Sequence, residues 1–169
     1  MSHRKPEPVQ VVKQRRDTAL RALAGGVPYV NFLGITFDRR GDELTGVLNF
    51  DEKLIGNPDL PALHGGVTAA FLEVTSIITL SWMSLWGEVE SGRLDLETLE
   101  QGRLPRLPKT IDFTIDYLRP GLPRDAYARA RVTRSGRRYA SVHAEAWQDN
   151  RDRPIVQAVG HFLMPRDEG

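Results

Sequence analysis

The longest apolar stretch of the chain, "VTAAFLEVTSIITLSWMSLW" from Val67 to Trp86, is hydrophobic on nearly every side of a helix. Such a helix is either a buried core element or a membrane span. Glu73 and the hydroxyls of Thr68, Thr75, Ser76, Thr79, Ser81 and Ser84 interrupt it, with no basic flank to orient a span. The pattern therefore predicts a core helix and no membrane partner. Upstream, "QVVKQRRDTALRALA" places Val11, Val12, Ala19, Leu20 and Leu23 at helical spacing before a Gly-Gly stop, predicting an amphipathic helix over residues 10–26. "GITFDRRGDELTGVLNF" reads as a β-hairpin turning at "RRGD", and "DEKLIGNPDLPAL" as loop.

Beyond the apolar helix, residues 87–108 form a polar connection with a short helical signal near Leu94 to Leu99 and no core pattern, a solvated excursion, lid or partner-facing loop. Four strand-like runs follow: "KTIDFTIDYLRP", "DAYARARVTR", "RYASVHAEAWQD" and "PIVQAVGHFLMP". In the first, alternation directs Ile111, Phe113, Ile115 and Tyr117 inward and Thr110, Asp112, Thr114 and Asp116 outward. Short turns between the later strands imply an antiparallel sheet, and a helix apolar all round implies that the sheet curls about it, an α+β architecture. The expected organisation is a flexible N-terminus over 1–9, a helix over 10–26 and a single domain over 27–169.

Composition narrows the chemistry. Lys and Arg number 23 against 22 Asp and Glu, so the net charge of +1 gives no footprint for nucleic acid. Cysteine is absent, which removes disulfides and thiol nucleophiles and favours a reducing compartment. The four His show no ligand spacing, so no metal is expected. The charged, Pro-containing start "MSHRKPEPVQ" is unlike a secretory segment, and a cytoplasmic location is expected.

What stands out chemically is Glu73 in the apolar helix. An ionised carboxylate costs several kcal/mol in such surroundings unless partners or solvent compensate. "HGG" opens the same helix: Gly65 and Gly66 leave first-turn N–H groups sterically bare at the positive end of the dipole, a place suited to a developing oxyanion. His64 fits a capping or positioning role, and Asn57 is an amide that would orient a carboxylate or a water.

"LHGGVTAAFLE" followed by "IDFTIDYLRPG" resembles the hotdog-fold acyl-CoA thioesterases, in particular the phenylacetate-pathway (PaaI-type) group and the 4-hydroxybenzoyl-CoA thioesterases. The resemblance implies a curved antiparallel sheet around one central helix, a homodimer with active sites shared between subunits, and often a tetramer. It implies Glu73 as nucleophile or general base, the Gly65 N–H as oxyanion donor, and Thr110 beside the carboxylate or attacking water. No cofactor is implied beyond coenzyme A as part of the substrate, and Arg119, Arg134, Arg137 or Arg138 would grip its phosphates. Phe71, Trp82 and Trp86 are candidates to line an acyl pocket, and core packing accounts for them equally well.

Helical geometry adds a constraint. Nine steps from His64 to Glu73 place the two on roughly opposite faces and about 13 Å apart along the axis, so one chain's turn does not meet its own carboxylate. A two-fold dimer resolves this. Two other readings share the motifs: a hydratase or dehydratase of acyl thioesters, which needs His64 beside a carboxylate, and a non-catalytic acyl-CoA-binding module, which binds without turnover.

Overall fold

The structure, a computed structural model, describes residues 7–166; residues 1–6, where most of the expected flexible N-terminus falls, lie outside the described residues. Helix α1 spans Val9–Gly25 and buries Ala19, Leu20, Leu23 and Ala24. A short helix α2, Pro28–Leu33, follows. It begins with Pro at its first turn, where no N–H is needed, and ends at Gly34 with φ 69°, a left-handed cap. Strands β1, Ile35–Arg40, and β2, Glu43–Leu48, form the expected hairpin, with Gly41 at φ 63° in its turn. The supposed loop after it contains a small sheet of its own, β3, Ile55–Asn57, paired with β4, Ala62–Leu63.

Helix α3 runs from Gly65 to Glu90, and the short helix α4 from Leu96 to Glu100. The chain closes with β5, Lys109–Tyr117, β6, Ala126–Ser135, β7, Tyr139–Trp147, and β8, Val156–Leu163. The main sheet has the order β1-β2-β6-β7-β8-β5, antiparallel throughout. It curls around α3 as the sequence led us to expect. Small residues make this close approach possible: Ala126, Ala128, Ala140, Ala144, Ala146 and Ala158 are all buried on the concave face. A Cβ on Gly46 would stand 2.8 Å from Thr75 Oγ1 of the helix. Thr75, Ser76 and Ser81, although buried, donate to the carbonyls of Phe71, Leu72 and Ile77, which satisfies these three hydroxyls within the helix, whereas the buried Thr79 Oγ1 has no partner among the described residues. Gly65–Glu90 is long and apolar enough to cross a membrane, yet 61% of its most apolar window is buried inside the fold, where α3 serves as the core.

The polar connection differs from its sequence reading. Leu99 is buried, and Leu94, Leu96, Leu104 and Leu107 pack against the main core, so residues 87–108 are anchored to the core and are not a merely solvated excursion. With α1 they cover the C-terminal half of α3. Phe71, Trp82 and Trp86 belong to that core, the packing role of the two open to them. Arg16 lies over the Trp86 ring at 4.7 Å. Arg39 of β1 ties α1 down by donating to Asp17, with an N–O distance of 2.9 Å and only 5% of its side chain exposed. Asp17→Ala would leave that guanidinium without its charge partner. It is expected to lower stability by roughly 1.5–3 kcal/mol, read as a shifted urea midpoint at constant slope.

Candidate active site

Backbone pairing sets the start of α3. The Leu63 N–H donates to the Gly121 carbonyl and the His64 N–H to that of Leu54, both at 2.8 Å. His64 is the N-cap: its φ of −60° and ψ of 133° are extended, and its Nδ1 accepts from the Gly66 N–H at 2.9 Å. That fixes the neutral ring with its proton on Nε2 and its acceptor inward. The Gly66 N–H is therefore consumed within the turn. The Gly65 N–H takes no partner among the described residues, so of the two glycines it is Gly65 that offers a free donor.

The Gly65 carbonyl accepts from the Tyr117 hydroxyl at 3.1 Å and from Thr68 Oγ1 at 2.9 Å. Beside this turn lies a cleft of about 290 Å³, lined by Leu63, Gly65, Thr68, Tyr117, Arg119 and Ile155 among others. Arg119 lines it with its guanidinium held by the Pro154 carbonyl at 2.8 Å.

Glu73 lies eight residues further along the same helix, about 12 Å by helical rise. It is half-buried, and its Oε1 accepts from Thr110 Oγ1 at 2.5 Å. Its Oε2 accepts no hydrogen bond among the described residues. Strict alternation had turned Thr110 outward, and a bulge corrects this. Between Thr110 and Asp112 the register against β8 slips by one residue: Thr110 pairs with Phe162 and Asp112 with His161. Ile111 is the extra residue, and it turns out to solvent at 55% exposure. Thr110 then joins Phe113, Ile115 and Tyr117 facing the helix. Such a bulge leaves no mark in the alternation of this segment.

Strand β5 thus touches Glu73 at its start through Thr110 and Gly65 at its end through Tyr117. Within one chain the two groups stay at opposite ends of the strand. Asp112 and Asp116 sit on the outer face as expected, and Asp116 accepts from Gln157. Asn57 closes its own turn, with Oδ1 accepting from the N–H groups of Asp59 at 3.0 Å and Leu60 at 3.5 Å. It has no contact with Glu73. Arg137 and Arg138 are exposed at the β6–β7 turn, near Lys109 because the Arg138 carbonyl accepts from Met164 and Leu163 pairs with Lys109. This places them at the Thr110 end, whereas Arg119 is at the Gly65 end. Sequence reasoning missed Tyr117 and Thr68 as partners of the turn. Tyr117 could have been suspected only from its inward register at the end of β5.

A curved antiparallel sheet wrapped on one long helix, with a free N–H at the helix start and a hydroxyl-bonded carboxylate farther along, defines a hotdog-type domain. The chain belongs to the thioesterase superfamily, whose family profile matches residues 60–155. A protein of Chromobacterium violaceum is 33% identical over 95% of this chain and 100% of its own, with a TM-score of 0.62. A Shewanella oneidensis protein related to the thioesterase superfamily is 26% identical over 92% of this chain and 98% of its own, with a TM-score of 0.69. A Bacillus halodurans protein crystallised with CoA shares the fold at 20% identity and a TM-score of 0.58, covering 98% of this chain and 99% of its own. No curated protein matches the chain at a significant level.

Proposed function

We propose that this protein hydrolyses acyl-CoA thioesters in sites shared between two copies of the chain. The observation that carries the reading is the half-buried Glu73 carboxylate, with one oxygen bound by Thr110 and the other free, on the helix whose first N–H is also free. Superfamily membership supports thioester hydrolysis, and the CoA bound to the Bacillus halodurans neighbour supports acyl-CoA as the substrate class. Among the described residues of one chain His64 bonds to no carboxylate, and its Nδ1 is taken by the Gly66 N–H, which favours a positioning role over the proton transfer a hydratase needs.

Strand β5 is an edge strand, and its outer side has no neighbour in the sheet among the described residues. A nine-residue edge carrying an outward Ile111 is a template for another chain. If two β5 strands pair antiparallel about a two-fold axis, the Thr110 end of one lies against the Tyr117 end of the other. Glu73 of one copy then faces Gly65 of its partner, and the cations split between the two ends of β5 meet at one entrance. In the general-base route Glu73 takes a proton from water, and the water oxygen adds to the thioester carbonyl. In the nucleophilic route the carboxylate adds first, and water hydrolyses the resulting anhydride. In both, the oxyanion rests on the Gly65 N–H, and its collapse breaks the C–S bond to release CoA.

The direct test is free-thiol release over short, long and aromatic acyl-CoAs. Release with at least one of them is expected, and inactivity across the whole panel would remove the assignment. Thr110→Val, which keeps the side chain's volume, is expected to lower kcat by about ten- to a hundredfold, the worth of one hydrogen bond to a charged group.

A further inference from the structure

Two successive glycines open α3, and glycine loses more backbone freedom on folding than any other residue. An oxyanion donor is effective only if that freedom is already removed before the reaction. His64 does part of this from one side, by its backbone bond to Leu54 and its side-chain bond to Gly66. Thr68 acts from within the helix, three residues on. The remaining contact comes from a separate element. The Tyr117 hydroxyl reaches the Gly65 carbonyl from the end of β5, and its ring fills the space a side chain at position 65 would need. A Cβ built on Gly65 would stand 3.2 Å from Cε1 and 3.3 Å from Cζ of that ring. The tyrosine thus stands in for the missing side chain, although it is itself 60% exposed and contributes little to the core.

We propose that Tyr117 is a positioning residue of the thioesterase site. By holding the Gly65 carbonyl it restricts rotation about the Gly65 backbone bonds, and so keeps the preceding His64–Gly65 peptide, which carries the free N–H, turned toward the thioester oxygen. The inference rests on the hydrolytic reading above and adds to it a role for β5. One strand registers both halves of the reaction, the carboxylate through Thr110 at its start and the oxyanion donor through Tyr117 at its end. In the two-fold arrangement the Tyr117 end of one copy lies against the Thr110 end of the other. The strand that would join the subunits would then also set the distance between acid and donor.

Tyr117→Phe keeps the ring and removes only the hydroxyl. Steady-state kinetics on the fastest acyl-CoA of the panel are expected to show kcat lowered about three- to tenfold. KM and melting temperature should not change, because the contact serves the oxyanion and not substrate binding or the core. In the same variant the Gly65 and Gly66 amide resonances should move, and exchange of the Gly66 amide, which is bonded to His64, should quicken. An unchanged kcat, or unchanged Gly65 and Gly66 amides, overturns the inference. If the wild-type protein hydrolyses no acyl-CoA, the hydrolytic reading fails, and the amide measurements alone decide whether Tyr117 holds the turn.

Discussion

Glu73→Gln is expected to lower acyl-CoA turnover by about 10²- to 10⁴-fold, the range for removing a positioned proton acceptor. The variant is informative because so little else changes. Gln has the same shape, and its carbonyl oxygen can still accept from Thr110 Oγ1. The half-buried position also becomes easier to keep, since a neutral amide has no ionised form to desolvate. Melting temperature should therefore hold or rise while thiol release collapses. Full activity of the variant would exclude Glu73 from the chemistry.

The second large effect concerns a backbone group, which ordinary side-chain substitution does not reach. Gly65 is the first residue of α3, where proline is tolerated because its missing N–H is one the helix does not use. His64 already has φ −60° and ψ 133°, the extended geometry a residue before proline prefers. Gly65→Pro would thus remove the free donor while leaving the helix start intact, at an expected loss of about 10²- to 10³-fold in kcat. Gly65→Ala is the control. It brings a Cβ within 3.2 Å of the Tyr117 ring but keeps the N–H, so crowding and donor loss are separated. Equal losses in both variants would assign the effect to crowding.

These two variants also test the shared site. Co-expressed, the Glu73→Gln and Gly65→Pro chains should form mixed dimers in which one site carries both defects and the other carries neither. Random pairing then restores about a quarter of wild-type turnover. No restoration would place Glu73 and its donor within one chain.

Particular residues show where the sequence was sufficient. The Val67–Trp86 run is apolar all round, and that local property forced a core helix with a sheet about it, whatever the order of the strands. "HGG" before that run marked its start, because glycines and a capping side chain are local signals too. The hairpin at Gly41 and the alternation of the late strands belong to the same class. Glu73 was conspicuous for the same reason, as a charge in an apolar period.

Other features depend on partners distant in the chain, and only the tertiary structure decided them. Alternation placed Thr110 outside; pairing with Phe162 and His161 on β8 created the bulge that turns it onto Glu73. The leucines between residues 94 and 107 showed no period, yet α1 and α3 supply the surface that buries them. Phe71, Trp82 and Trp86 were equally consistent with pocket and core until the packing of sheet and α1 around α3 buried them. The position of β5 at the edge of the sheet follows from its pairing with β8, and that edge leaves room for a second copy. The division has a physical reason. Helical and strand periods and caps are properties of a few neighbouring residues, whereas register, edges and the choice between Gly65 and Gly66 as free donor depend on which distant groups have already taken the other hydrogen bonds.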